Sequence, residues 1–227
     1  MSNTLYLILE GPFQAWGETG RWVVRDTASE PTKSGVIGLL GCALGIHDDD
    51  GLADLSLNLK MGVRCDQPGT RWEDYQTIHN GVWAADRKIK VNATSKKPET
   101  VVSWRYYLAD AAFLVALQGN EDLIEKLAEA LQKPKWPYYL GRRCCTPTRP
   151  VFAGIKDCKD LVDALENYPF IGIEKEKNSE RRVRGVLEVE AGKGVRKRDN
   201  VGNNSLRRYL PRYTMEAEIE IKVKEAT

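Results

Sequence analysis

The spacing of hydrophobic positions along this 227-residue chain predicts four β-strands before its last third. Residues 5–10 form a short, almost continuously apolar run that ends at a Gly-Pro pair, which is typical of a buried strand. Residues 57–66 alternate between apolar and polar positions with a period of two, and 100–110 are again rich in strand-forming residues. Residues 111–117 are apolar throughout and predict a second, fully buried strand directly after the third.

Two segments show helical spacing instead. Residues 121–131 follow a capping residue, Asn120, and carry apolar side chains at helical intervals, so we expect an ordinary amphipathic helix there. Residues 32–46 are apolar on one broad arc and have glycine on the opposite arc, at positions 35, 38, 41 and 45. Each glycine costs a helix interior about 1 kcal/mol relative to alanine, so four of them need a reason.

The glycine-rich helix has two interpretations. Its bare side lets another chain approach closely, and its N-terminus, with Lys33 and Ser34, suits a phosphate group. It can equally be a buried helix whose small residues allow tight packing. The sequence pattern of this segment leaves both open. The polar and acidic run that follows, 47–51, predicts a solvated turn.

The segment between the second and third strands is rich in positive charge and poor in apolar residues. It contains Lys88 and an apolar tip at Val82-Trp83. Long excursions from compact domains are usually functional or disordered, so a protruding hairpin and a solvated loop both remain open.

Basic residues also cluster in three other places. Arg21 and Arg25 lie among aromatic residues before the glycine-rich helix, and Gly141 precedes the pair Arg142-Arg143. Such groups suit base stacking and the binding of phosphate by guanidinium and backbone N–H groups. Between Glu180 and Arg212, ten basic residues face four acidic ones, and we expect a flexible basic loop over 191–205. Basic clusters in several segments indicate a polyanionic partner.

Composition excludes several classes of protein. The content of 42% hydrophobic and 29% charged residues is typical of an ordinary globular protein. The longest apolar run is too short to span a bilayer. We find no signal-peptide pattern and expect a cytoplasmic protein without a membrane partner. Five cysteines without a CxxC spacing and only two histidines predict reduced core thiols, no metal site and no cofactor.

The order of elements is strand, long loop, helix, strand, excursion, strand, helix and strand. With one more strand this is the β-α-β-β-α-β arrangement of ferredoxin-like folds, so we expect the α+β class. The same architecture underlies RNA-binding RRM modules.

Five separated motifs then give the chain a family resemblance. They are residues 9–17 (LEGPFQAWG), 31–46 (PTKSGVIGLLGCALGI), 74–77 (DYQT), 104–108 (WRYYL) and 139–144 (YLGRRC). In this order they resemble the CasD-type subunit of type I-E CRISPR Cascade complexes, a branch of the RAMP superfamily. The resemblance runs from about residue 5 to 150, and little beyond Phe152 matches.

The resemblance implies a ferredoxin-like palm (1–75 and 104–227, ending in a β-rich basic part) with an inserted, hairpin-like thumb (76–103). It implies a non-catalytic subunit that holds the 5′ handle of the CRISPR RNA and caps the backbone end. Implied partners are the backbone subunit, through the thumb, the large PAM-reading subunit and, within the complex, target DNA. Together with the basic patterns, it selects these RNA-binding residues: Arg21, Arg25, Lys33, Ser34, Gly38, Trp83, Lys88, Arg105, Gly141, Arg142 and Arg143.

The competing function is a metal-independent endoribonuclease, because type I-C relatives process repeat RNA themselves. Such cleavage needs a general base and a cationic or acidic partner for the leaving oxygen. The candidates are His47 or His79 with Tyr75, Lys60 or Lys88, but no spacing supports these roles. We therefore expect a protein that is not an enzyme.

Overall fold

The computed structural model describes residues 3–18, 20, 23–79, 88–89, 91–92, 94–173, 181–202 and 209–222. Within these ranges the strands are β1 (Thr4–Gln14), β2 (Val24–Arg25), β3 (Lys60–Gln67), β4 (Thr70–Ile78), β5 (Val101–Gln118), β6 (Phe152–Lys156), β7 (Arg181–Val189), β8 (Val195–Val201) and β9 (Tyr209–Ile221). The helices are α1 (Lys33–Leu44), α2 (Asp49–Leu57), α3 (Glu121–Gln132) and α4 (Leu161–Glu166).

The described strands join one large, almost wholly antiparallel sheet in the order β6-β1-β5-β3-β7-β9-β8, and β2 and β4 both pair with β5. The mixed α and β class predicted from the sequence is confirmed. Along the chain, β1, α1, β3, β5, α3 and β6 occur in this order, with β2, α2 and β4 between them, and the four strands of this set lie side by side as β6-β1-β5-β3.

Apolar side chains fill both faces of the centre of the sheet. Because side chains alternate along a strand, Leu5, Leu7 and Leu9 of β1 pack under α1 and α3, whereas Tyr6 and Ile8 pack with α4 on the other face. The continuous apolar run in β1 therefore reflects a strand buried on both sides.

The strand β5 corrects one sequence interpretation. The two strands expected over 100–110 and 111–117 are a single strand, with Asp110 at a positive φ of 53° between its halves. The second half pairs with β1 and β3, and the first half pairs with β4 and β2. We call β4 and the first half of β5 the ribbon.

The proposed thumb continues from this ribbon. Gln76 and Ser103, at the expected boundaries, face each other across the same antiparallel ladder. Of the expected thumb, 80–87, 90 and 93 lie outside the described residues, so the division into palm and thumb stays a prediction.

Two segments interpreted as turn or loop are regular structure. The acidic turn after α1 begins a helix, since the carboxylate of Asp48 accepts a hydrogen bond from the Gly51 N–H at 2.7 Å and caps α2. The expected flexible loop over 191–205 contains β8, which pairs with β9. The partner is the next strand along the chain, but the basic and polar composition of this segment did not indicate a strand.

All five cysteines are free, as the sequence analysis expected. Cys65, Cys145 and Cys158 are buried, Cys42 is partly buried, and Cys144 is exposed, which corrects its assignment to the core. Burial raises the pKa of Cys65 to about 12, so this thiol stays protonated near neutral pH. Within the described chain, no helix has the length and apolarity needed to cross a bilayer.

Candidate nucleic-acid interface

The glycines of α1 do not form one open face. A Cβ at Gly35 would lie 2.7 Å from the buried ring of Trp16, and one at Gly41 would lie 2.5 Å from Leu52. A Cβ at Gly38 would meet no heavy atom within 4 Å. Ser34, one turn earlier, is also partly exposed. Most glycines of this helix thus serve close packing, and Gly38 leaves an open strip of backbone, where the approach of another chain stays a prediction.

Lys33 does not lie where the sequence analysis expected. Its side chain is 2% exposed, and its ammonium group lies 2.9 Å from a carboxylate oxygen of Glu188 on β7. Desolvation lowers the pKa of Lys33, and the Glu188 carboxylate opposes that change. A buried ammonium group with an internal counter-ion does not offer its charge to a phosphate, so this part of the expected RNA site is corrected.

The N-terminus of α1 is likewise held from within the chain. The backbone N–H of Lys33 donates to Asp199 of β8 at 2.9 Å, and the same carboxylate receives two hydrogen bonds from Arg212 of β9, at 2.6 and 2.8 Å. Burial raises the pKa of Asp199, but the Arg212 guanidinium lowers it, and the resulting pKa lies below its ordinary value. A carboxylate of the protein thus occupies the helix-terminal position that the sequence interpretation assigned to RNA phosphate.

Part of the basic last third is neutralised in a similar way. Glu30, only 5% exposed, accepts hydrogen bonds from Lys197 and Arg184, and Arg184 also binds Glu216 at 2.9 Å. Burial raises the pKa of Glu30, but hydrogen bonds from Lys197, Ser29 and Arg184 outweigh it and bring the pKa down to about 2. These cations stabilise the fold, so the excess of basic residues overstates the charge available to a partner.

The Gly-Arg-Arg loop divides its two arginines between different roles. Gly141 has a φ of +89°, and a Cβ there would overlap the backbone of Ala15, so only glycine fits. The guanidinium of Arg142 lies 4.6 Å from the centre of the Tyr107 ring and donates to the backbone carbonyl of Arg25 at 2.8 Å. Arg143 is exposed. Arg142 therefore holds β2 in place, and Arg143 offers its charge to solvent.

Arg25 and Arg105 are brought together by strand pairing. Arg25 on β2 lies beside Arg105 on β5, and Asp74 on β4 faces Arg105 from the other side. Arg25 is exposed and Arg105 is half-buried. With the contact of Arg142 to β2, the structure gathers three of the expected RNA-binding arginines on one face of the ribbon, which we call the arginine face. Asp74 contributes the opposing charge there.

The arginine face also carries aromatic residues that the sequence analysis did not select. Trp72 on β4 is 49% exposed and lies opposite Tyr107 in the ladder. Phe13 is 36% exposed and contacts both rings, with centroid distances of 5.2 Å to Trp72 and 5.6 Å to Tyr107. Trp16, in contrast, is fully buried. The sequence does contain a signal for Trp72, because this tryptophan is flanked by the charged residues Arg71 and Glu73 in a polar segment.

Three expected site residues lie in or near less completely described segments. Arg21 and Trp83 are outside the described residues, so their roles stay predictions. Lys88 is exposed and lies in the excursion between β4 and β5.

The residues considered for RNA cleavage do not all meet. His47 lies in the turn between α1 and α2, with its ring 6.4 Å from that of Trp136. Lys60 pairs with Gln118 at the end of β5, whereas Tyr75 pairs with Trp104 near its start. His79 directly follows β4. Among the described residues, no group of three or more His, Cys, Asp or Glu side chains could hold a metal ion.

Comparison with known proteins gives the family of this fold. A family model described as CRISPR-associated protein (Cas_Cas5) matches residues 4–218, which is nearly the whole chain. The chain belongs to this CRISPR-associated Cas5 family. The match continues through β7 and most of β9, beyond the region covered by the motifs of the sequence analysis.

One relative in the Cas5 family is the CRISPR system Cascade subunit CasD of Escherichia coli (strain K12). It is 39% identical over 185 residues, which cover 76% of this chain and 80% of CasD. A chain of a solved CRISPR RNA-guided surveillance complex matches with a TM-score of 0.75 and 31% identity, over 96% of this chain and 90% of that chain. A crystal structure of a Cas protein matches with a TM-score of 0.72 and 35% identity, over 98% of both chains.

Proposed function

We propose that the protein is a non-catalytic, CRISPR RNA-binding subunit of a type I-E Cascade antiviral surveillance complex. It holds the 5′ handle of the CRISPR RNA and caps the backbone end of the complex beside the large, PAM-reading subunit. The similarity to CasD, a Cascade subunit, over most of both chains is the observation that carries this proposal. The strand order β6-β1-β5-β3 supports a ferredoxin-like palm of the RAMP type.

The geometry favours RNA as the ligand of the arginine face. Arg25, Arg105 and Arg142 lie together there, beside exposed Arg143 and half-exposed aromatic rings. Proteins that bind single-stranded nucleic acid combine a positively charged surface for the backbone with aromatic rings for the bases. Gly38 and Ser34 supply a second, uncharged strip along which an RNA backbone can pass closely.

The ribbon supports the partner assignments. It leads into the proposed thumb, which we assign to the handle–spacer junction and to the neighbouring backbone subunit. The large subunit and target DNA are further proposed partners within the complex. We assign the protein to the cytoplasm, where such a complex would meet invading nucleic acid.

Incubation of the purified chain with its CRISPR repeat RNA in EDTA tests the proposal. We expect retention of intact RNA in a gel-shift assay and no site-specific cleavage. Specific cleavage that disappears in a His47→Ala or His79→Ala variant would establish the endoribonuclease function instead. Failure to bind RNA, both alone and when mixed with the other Cascade subunits, would contradict the handle-binding function.

A further inference from the structure

The aromatic residues of the arginine face form a layered cluster at the base of the ribbon. Tyr107 is innermost and 7% exposed, with the guanidinium of Arg142 above its ring. Phe13 contacts Tyr107 with its ring nearly edge-on, at an interplanar angle of 62°. Trp72 contacts Phe13 at 53° and is the outermost ring. The cluster therefore presents an indole to solvent on a support of two further rings and one guanidinium.

The exposure of Trp72 is unusual for its size. A tryptophan side chain is mostly buried in folded proteins, because leaving so large an apolar surface in water is unfavourable. Trp72 nevertheless has 49% of its surface exposed, and neighbouring Phe13 has 36%. The contacts with Phe13 fix the position of the ring without covering it. Such an arrangement is preorganised for a flat partner group.

Charge on the same face selects the partner. Arg25 and Arg105 occupy paired positions on β2 and β5, and the guanidinium of Arg142 donates to the backbone carbonyl of Arg25 on β2. Asp74 opposes them, and its carboxylate accepts a hydrogen bond from Gln76 at 2.6 Å. The net charge of the face is positive, which favours a polyanion over the apolar surface of another protein. An anionic ligand with flat, stackable groups is a single-stranded nucleic acid.

We propose that Trp72, supported by Phe13, is the stacking platform for one base of the bound RNA. The inference rests on the proposed RNA-binding function and adds the group that contacts a base instead of the backbone. The guanidinium groups of Arg25 and Arg105 bind the phosphates on either side of that base. Trp72 thereby contributes binding energy that does not depend on salt, whereas the arginines contribute the salt-dependent part.

A comparison of two RNA ligands tests the platform. The probes are a labelled oligoadenylate and an abasic ribose-phosphate oligomer of equal length, measured by fluorescence anisotropy with the full chain. We expect the wild type to bind the oligoadenylate more tightly. In Trp72→Leu, which keeps an apolar contact with Phe13, we expect this preference to fall roughly tenfold, within the range of a lost base stack. Trp72→Phe should restore most of it.

Tyr75 provides the matched control. It lies on the same strand but on the opposite face, against Trp104, and is 57% exposed. Tyr75→Leu should leave the preference unchanged. An equal loss in both variants, or no loss in Trp72→Leu, would overturn the platform while leaving RNA binding by the protein intact.

A second measurement needs no substitution and covers the case in which Trp72→Leu does not fold. RNA carrying 2-aminopurine loses fluorescence when that base stacks on an aromatic ring. We expect quenching at one position of the RNA on binding to the wild type. Binding without quenching at any position would refute the platform alone, whereas failure to bind CRISPR RNA, both by the chain alone and when it is mixed with the other Cascade subunits, would refute the proposed function together with it.

Discussion

Gly38 on α1 allows a prediction that separates folding from RNA binding. A Cβ at this position meets no heavy atom within 4 Å, so Gly38→Ala adds no clash. Alanine in a helix interior is about 1 kcal/mol more favourable than glycine. We therefore expect Gly38→Ala to stabilise the protein by about 1 kcal/mol, which corresponds to a rise in Tm of about 2–4 °C for a chain of this size.

Gly35 on the same helix gives the contrasting result. Its added Cβ would lie 2.7 Å from the ring of Trp16, which is fully buried and fixed by a hydrogen bond from its indole N–H to Gln14. Overpacking of this kind costs about 1–3 kcal/mol, which exceeds the gain in helix propensity. We expect Gly35→Ala to destabilise the protein by about 1 kcal/mol. Urea or thermal unfolding followed by circular dichroism measures both variants.

The functional half of the test uses a longer, uncharged side chain. Gly38→Gln extends into the open strip, so we expect stability close to that of Gly38→Ala and a measurable loss of affinity for CRISPR RNA. Gly38→Ala serves as its control for backbone effects. A lower Tm in Gly38→Ala would refute the packing argument, and unchanged RNA affinity in Gly38→Gln would remove this face of α1 from the interface.

Two further predictions concern the buried ion pairs. Because Glu30 has a folded-state pKa of about 2, below its ordinary value of 4.5, its contribution is fully present above about pH 4.5 and is lost as the pH falls towards 2. At about 1.4 kcal/mol per pKa unit, the lowered pKa of Glu30 contributes about 3 kcal/mol to the free energy of unfolding. In urea unfolding measured between about pH 5 and pH 2, Glu30→Gln should therefore lack this part of the wild-type loss of stability. Lys33→Ala should destabilise the protein by less than the about 3–5 kcal/mol of an uncompensated buried charge, because Glu188 loses its ammonium partner at 2.9 Å but keeps the Met61 N–H and Arg212, and Lys33→Met with Glu188→Gln should recover much of that loss. Equal denaturation midpoints for the single and double variants would contradict the pairing.

Local patterns were enough to predict the elements that depend on local chemistry. The helix at 121–131 follows from its cap and apolar spacing, and β1 follows from its apolar run between polar segments. The missed helix α2 also had a local signal, since Asp48 is a good N-cap residue. The acidic run after it was interpreted as a turn because its side chains are polar, although acidic residues favour the first turn of a helix.

Long-range partners explain the remaining differences. Lys33 resembles a phosphate ligand in sequence, but Glu188 lies far along the chain and becomes its counter-ion only when β7 joins the sheet. Arg142 carries the same charge as Arg143, and only the fold makes one internal and the other exposed. The exposure of Trp72 likewise depends on the fold, because its strand β4 pairs with β5 outside the main strand order of the sheet.

The salt dependence of RNA binding by Arg143→Glu tests the central claim most directly. Arg143 is exposed, so reversal of its charge should leave the fold intact, and exposed Lys126 on α3 provides a control with the same change of charge. We predict weaker binding of CRISPR RNA by Arg143→Glu, with a slope of log K against log salt that is shallower by about 0.7 for one lost phosphate contact. Lys126→Glu should retain the wild-type slope and affinity. Identical affinities and slopes for the wild type and both variants would contradict RNA binding by the Gly-Arg-Arg loop.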